Sequence, residues 1–337
     1  MLKKKLCAAV VCALIACGMV LAGCHGAVAA QKKLTEVKVS EFRGISWCAV
    51  YIAQEKGFFA DEGLDVTFVK YGDGPVAFQG MHRNDSQFCL LSQEPVLKAQ
   101  IEGLKSKLIY TVLDTRVYGF VTAAGIKNVA DLKGKAVFAG MPGSAPYSFV
   151  SSILREGGLD PEKDVTFINM DYGASAAALA NNQIQASYVD VSNYADVIKL
   201  NVNFLVDTAR PEDSAKYLKS EVFPSQIVVA TAKFVEENPE TVQAFINAFH
   251  RATLWMHENS DEAVADALVP YYAGLTKEGL VDRVKIVKKS LTKTGYIGEK
   301  EEEFVQKYCM ENGVIPRMIP YEEIVDMTFV NNANKNK

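Results

Sequence analysis

The chain has 337 residues, 49% of them apolar, with 36 lysines and arginines against 40 aspartates and glutamates and a formal charge of −4. Without the three lysines at its start the charge falls to about −7. No basic block or aromatic-basic stripe occurs, which argues against a nucleic-acid partner, and the apolar content of the body is enough for two cores.

Residues 1–24 read as a targeting leader. Lys3, Lys4 and Lys5 form a positive start, and an uncharged apolar run follows over 6–21, too short for a comfortable membrane span. It ends in Leu21-Ala22-Gly23-Cys24, which resembles the bacterial lipobox. That resemblance implies that the signal is removed and that Cys24 becomes a lipidated N-terminus. The alternative is an ordinary signal peptide cut after Ala27-Val28-Ala29. Both imply export, and no second apolar run is long enough to span a bilayer. Four of the seven cysteines (Cys7, Cys12, Cys17, Cys24) fall in this segment. Cys48, Cys89 and Cys309 match no metal spacing, and their odd number leaves either one Cys48–Cys89 bridge or buried thiols.

The body alternates strand and helix. Residues 37–42 alternate polar and apolar and read as a first strand. Arg43-Gly44-Ile45-Ser46 turns into a helix carrying Trp47, Val50 and Tyr51. A strand over 66–69, a Tyr71-Gly72-Asp73-Gly74 turn, a helix over 75–83, a strand over 87–91 and a helix begun by Ser92-Gln93-Glu94-Pro95 follow. Two more strands are expected at 108–113 and 118–122. The same grammar then restarts. A strand at Val137-Phe138-Ala139, a Gly140-Met141-Pro142-Gly143 turn and a helix capped by Ser144 lead to a strand at 165–168, Asp171-Tyr172-Gly173, a helix over 174–181 and a strand over 186–189. Two copies about 100 residues apart fit two lobes on one plan rather than a solenoid. From Lys233 on the pattern is helical, with no sheet of its own. The expected organisation is α/β, with one lobe from 36–122 plus 226–330, a second from 123–225, crossings near 121–125 and 223–227, and a frayed tail over 331–337.

Gly57-Phe58-Phe59 with Glu62-Gly63-Leu64-Asp65-Val66, Asp131-Leu132-Lys133-Gly134-Lys135, Gly143-Ser144, and Gly158-Leu159-Asp160-Pro161 with Val165 and 186–190 stand in an order that resembles the substrate-binding proteins of bacterial ABC importers. The resembling group is the nitrate/sulfonate/bicarbonate (NitT/TauT) type, which includes binders of thiamine pyrimidine precursors. It covers about 37–330. The resemblance implies a two-lobed type II periplasmic-binding fold with mixed, mostly parallel sheets, two hinge crossings and a helical C-terminal segment packed on lobe 1. It also implies a small-molecule solute in the interlobe cleft, a permease partner in the cytoplasmic membrane, a membrane tether through lipidated Cys24, a monomer, and no metal or cofactor. The cleft residues it implies, at the carboxyl ends of strands, are Trp47, Ser92, Gln93, Glu94, Thr115, Gly143, Ser144, Tyr147, Asp190, Asn193 and Tyr194. The segment after 186–189 departs from the group, which often carries an aromatic-acid-proline run there.

Aromatic rings and amides suit a flat organic solute. Glu94 and Asp190, ionised, accept only, which favours ligand N–H groups. Only Arg43 and Arg116 stand near enough in sequence to compensate an oxyanion. The expectation is a nitrogen-containing organic solute. The alternatives are a sulfonate or other oxyanion at Ser144, a thiamine-pyrimidine-synthase-like enzyme, and a lipoprotein that senses its ligand without transport. His82, His250 and His257 sit on expected helix faces away from the cleft, and no Ser-His-Asp, zinc or phosphate-loop pattern occurs, so no catalysis is expected.

Overall fold

A computed structural model describes residues 33–41, 44–220 and 222–335. The leader with Cys24, and Arg43, lie outside them. The strands are β1 (Thr35–Glu41), β2 (Leu64–Lys70), β3 (Phe88–Leu91), β4 (Ser106–Leu113), β5 (Tyr118–Ala123), β6 (Lys135–Phe138), β7 (Val165–Phe167), β8 (Ala186–Asp190), β9 (Val202–Asp207) and β10 (Ser225–Thr231). They form two five-stranded sheets, ordered β2-β1-β3-β10-β4 and β7-β6-β8-β5-β9. In the first, β1 runs parallel to β2 and β3, and β10 is antiparallel to β3 and β4. In the second, β6 runs parallel to β7 and β8, and β5 is antiparallel to β8 and β9. The repeat read in the sequence is therefore one topology used twice. All four residues of β3 are buried, as expected for a central strand covered on both faces.

The fourth place in each sheet is filled by an antiparallel strand arriving from the other lobe. This corrects the expected boundaries: 118–122 belongs to the second sheet, and the first crossing is 114–117, not 121–125. The second crossing runs from Thr208 to Pro224. The two are bonded together. Phe223 N donates to the Asp114 carbonyl at 2.9 Å, and the Thr208 hydroxyl donates to the Arg116 carbonyl at 2.6 Å while accepting from Tyr118 N at 2.8 Å. Two crossings held side by side form a hinge, the second carrying short helical turns at Pro211–Asp213 and Ser214–Leu218.

The helical tail packs on the first lobe, as expected. Helix Pro239–Glu258 buries Val242, Phe245, Ile246, Phe249 and Met256, at offsets of three, four, seven and fourteen that keep them on one face. Phe245 stacks on Phe88 of β3 at 4.0 Å between ring centres and on Phe59 at 5.1 Å. Each such ring contributes about 1.5–3 kcal/mol by leaving water, and Phe245→Ala would cost about 3–5 kcal/mol with its cavity. Short bridges from Leu291 to Leu113 and from Val325 to Leu108 cover the β4 edge. The chain end corrects another expectation. Residues 331–335 continue helix Thr328–Lys335, because Phe329, Val330 and Ala333 bury one face and Asn332 and Asn334 donate to Gln243 Oε1 and the Thr294 carbonyl. Cys48, Cys89 and Cys309 are free and buried, so the bridge is not formed. Among the described residues no helix is long and apolar enough to cross a membrane.

Candidate functional site

Between the two sheets lies a cavity of about 750 Å³, within the range of small-solute sites. Its walls are the turns that leave the strands of both lobes. From the first lobe come Ser46 and Trp47 after β1, Tyr71 to Asp73 after β2, and Ser92 after β3. From the second come Ser144 after β6, Asp171 and Tyr172 after β7, and Asp190, Ser192 and Asn193 after β8. Tyr118, Tyr188 and Gln226 form its floor near the hinge, and Leu275 and Arg283 of the tail close one side.

Each wall is built by local chemistry. Ser144 caps helix Ala145–Glu156, its hydroxyl accepting from Tyr147 N at 3.4 Å, with Pro146 in the first turn. Gly140 sits at φ +72, and a Cβ there would fall 2.3 Å from the Tyr172 hydroxyl. The glycine thus lets Tyr172 reach across the cleft. Its hydroxyl donates to Asp73 Oδ2 at 2.8 Å, and burial first, then the Asp73 carboxylate, raises the phenol pKa. Burial likewise raises the Asp73 carboxyl, against the bonds it accepts from Tyr172 and from the N–H groups of Met141 and Gly74. Asp190 is raised by burial too, opposed by the Ser192 N–H, 2.8 Å from its Oδ1. Asn193 fixes that turn, accepting from Asp190 N at 2.9 Å and donating to the Ser175 hydroxyl at 3.2 Å.

The opposite flank is closed by Arg283 on helix Lys277–Ser290. All three of its nitrogens are engaged. Nε donates to the Ser192 carbonyl at 2.8 Å, Nη2 to Asp196 Oδ2 at 2.7 Å, and Nη1 to its own helix at the Gly279 carbonyl, 2.9 Å away. With Ile45 N donating to the Ser192 hydroxyl at 3.3 Å, these contacts and the Asp73–Tyr172 bond hold the lobes together on both sides of the cavity.

Of the residues expected from the sequence, Trp47, Ser92, Ser144, Asp190 and Asn193 line the cavity. The others face elsewhere. Gln93 is fully buried, its Nε2 donating to the Pro224 carbonyl at 3.0 Å. Glu94 is locked to Arg116 by two bonds of 2.6 and 3.0 Å, with both side chains fully buried. Arg116 is also flanked by the Phe223 and Tyr118 rings, 4.4 and 5.1 Å away. Neither the acid nor this base is therefore open to a ligand. Thr115 and Tyr194 border a second cavity of about 440 Å³ behind the hinge, where Thr115 bonds Ser290 at 3.0 Å and Tyr194 bonds Asp207 at 2.9 Å. Tyr147 packs on Phe167 at 4.7 Å, and Gly143, at φ +87, shapes the turn without lining the cavity. Asp73, Tyr118, Tyr172, Tyr188, Gln226 and Arg283 were not expected. The repeated Tyr-Gly turns, Tyr71-Gly72-Asp73 and Asp171-Tyr172-Gly173, carried a signal for the first and third, since equivalent turns of two lobes face one another.

A family profile described as NMT1/THI5 like matches residues 45–263. The chain belongs to this family. The resemblance carried by its sequence motifs is thereby borne out. YtlA of Bacillus subtilis (strain 168), inferred to be a binding protein, is 25% identical over 319 residues, covering 92% of this chain and 93% of that one. A second Bacillus subtilis protein, inferred to bind aliphatic sulfonates, is 28% identical over 331 residues, 93% of each chain. The formylaminopyrimidine-binding protein of Halalkalibacterium halodurans is 23% identical over 253 residues, 73% of this chain and 74% of that one. A solved structure from Bordetella bronchiseptica RB50 superposes with a TM-score of 0.79 at 24% identity, covering 90% of this chain and 98% of that one. The nitrate-binding protein NrtA of Synechocystis PCC 6803 superposes at 0.71 with 15% identity, covering 90% and 89%. The fold is the two-lobed periplasmic-binding architecture.

Proposed function

We propose that this protein is the extracytoplasmic receptor of an ABC importer, tethered through Cys24, that closes its lobes on a small nitrogen-bearing organic solute and presents it to the permease. The observation that carries the choice of solute is the charge of the cavity wall. Asp73, Asp171 and Asp190 contribute carboxylates against Lys70, while Asp196 and Arg283 neutralise each other as an ion pair at 2.7 Å. Arg283 is committed to Ser192 and Asp196, so it is poorly placed to compensate an oxyanion, whereas carboxylates and tyrosine rings suit ligand N–H groups and flat rings. Relatives named for formylaminopyrimidine and riboflavin support the same class.

A second reading, a sulfonate receptor, is favoured by the Ser144-capped helix N-terminus at the wall and by the relative inferred to bind aliphatic sulfonates. An enzymatic role has less support. His82, His250 and His257 bond Ser106, Tyr110 and the Thr292 carbonyl and stay out of the cavity wall. A thermal-shift screen of amines, pyrimidines, amino acids, alkanesulfonates and nitrate separates the readings. Ligands that bind only the folded state raise the melting temperature. Stabilisation by nitrogenous solutes alone is expected, and stabilisation by alkanesulfonates or nitrate alone would overturn the choice.

A further inference from the structure

Gln226 combines three features that no other residue of the cavity wall shares. It is one of the few non-glycine residues in the left-handed region, at φ +58. It is only 6% exposed yet lines the cavity. Its side-chain Oε1 is buried without a hydrogen-bond partner among the described residues. Left-handed backbone at a long side chain persists only where the surroundings enforce it, and it clusters at ligand sites. Here the surroundings are explicit. Pro224, two residues earlier, is held by Gln93 Nε2. Ser225 is fully buried and pairs with Leu113 of β4, and Ile227 pairs with Thr111 and with Leu91 of β3. The residue between these pairs is turned out of the ladder at the point where the second crossing enters β10.

We propose that Gln226 is a specificity-determining residue of the cleft, held on strained hinge backbone so that its amide reads a donor–acceptor edge of the solute. A neutral amide offers one donor face and one acceptor face. Its complement is a carboxamide, a ureide or an amino-heterocycle, which presents an N–H beside a carbonyl or ring nitrogen. A buried amide oxygen without a partner inside the protein gains most from a ligand N–H that satisfies it, because that hydrogen bond replaces none within the fold. The inference rests on the nitrogenous-solute reading and narrows it from charge to edge pattern.

The test uses nicotinamide, cytosine and allantoin as probes, n-butylamine as a nitrogenous probe without an acceptor, and ethanesulfonate as the oxyanion. Calorimetric titrations compare wild type with Gln226→Gly and Gln226→Asn. Glycine suits φ +58 and asparagine tolerates it, so both variants are expected to fold, with Gln226→Gly melting no lower than wild type. The expected result is that at least one donor–acceptor probe binds wild type, at least tenfold more weakly to Gln226→Gly, with partial recovery in Gln226→Asn. Equal affinity for Gln226→Gly and wild type overturns the inference. Binding of n-butylamine with no response to the three donor–acceptor probes overturns it and leaves the nitrogenous reading standing. No response to any nitrogenous probe overturns both.

Discussion

Replacing Arg116 by methionine removes one half of an ion pair that has no access to water. Both side chains are fully buried, joined by two bonds of 2.6 and 3.0 Å. The pair ties helix Gln93–Ile101 of the first lobe to the first crossing. Arg116→Met leaves the Glu94 carboxylate buried without its cation, among the Tyr118, Phe223 and Tyr308 rings that now surround the guanidinium. Removing one partner of such a pair costs about 3–5 kcal/mol, whereas replacing both by apolar groups of similar volume is close to neutral. With about 2.1 cal/mol/K of unfolding entropy per residue, a body of roughly 300 residues loses about 1.6 °C per kcal/mol. The single variant should therefore melt about 5–8 °C lower, and Glu94→Leu/Arg116→Met should recover most of the loss. Differential scanning calorimetry on wild type, both single variants and the double variant reads this directly. A single variant as stable as wild type, or a double variant whose loss is the sum of the singles, would refute the reasoning that the pair is a desolvated unit.

Tyr172→Phe removes the bond across the cleft to Asp73 and leaves that carboxylate with backbone donors alone. A lost bond of about 1 kcal/mol weakens solute binding roughly fivefold, and unchanged affinity by titration would show that the bond does not hold closure. Asp190 is a carboxyl raised by burial, so the folded chain holds its proton more tightly than the unfolded chain does. Its contribution is fully favourable below the ordinary value of 3.8 and is lost as pH rises through the raised value. Asp190→Asn should thus melt higher than wild type at pH 7 while binding solute more weakly, with the stability gain fading towards pH 4. Glu302 is pushed up to about 8 by burial, against a bond from Gln306. By the same sign, stability declines between about pH 4.5 and 8 and then levels. Glu302→Gln should flatten that decline in melting curves from pH 5 to 9, and parallel curves would contradict it.

The two-lobed plan was legible because strand–turn–helix grammar is local. Gly63-Leu64-Asp65-Val66 and Gly158-Leu159-Asp160 announce equivalent strands without any tertiary information. The first crossing was not legible, because Asp114-Thr115-Arg116-Val117 between two apolar strands looks like the turn of a hairpin. The strand pairing reveals that the chain changes sheets there, β4 bonding β10 and β5 bonding β8 and β9. The buried Arg116–Glu94 pair explains the miss at Glu94: an acid after a strand end reads as a cleft residue until its arginine is known. Trp47, Ser92, Ser144, Asp190 and Asn193 reach the cavity wall because strand ends converge on the cleft in this architecture. Arg283 lies about 90 residues beyond the second-lobe groups it touches, on a helix with an ordinary pattern, and Gln226 stands out only in the structure, through its backbone conformation and its buried, unpartnered Oε1. The end of the chain was misread because Asn and Lys dominate its composition while Phe329, Val330 and Ala333 set its packing.

The central claim is that the cavity between the lobes takes a nitrogen-bearing solute through its carboxylate wall. Isothermal titration of wild type and Asp190→Asn with the best nitrogenous solute from the thermal screen, and with ethanesulfonate, tests it most directly. The account predicts binding of the nitrogenous solute to wild type, at least tenfold weakened in Asp190→Asn, and no heat from ethanesulfonate. Tight ethanesulfonate binding that survives or improves in Asp190→Asn would contradict it.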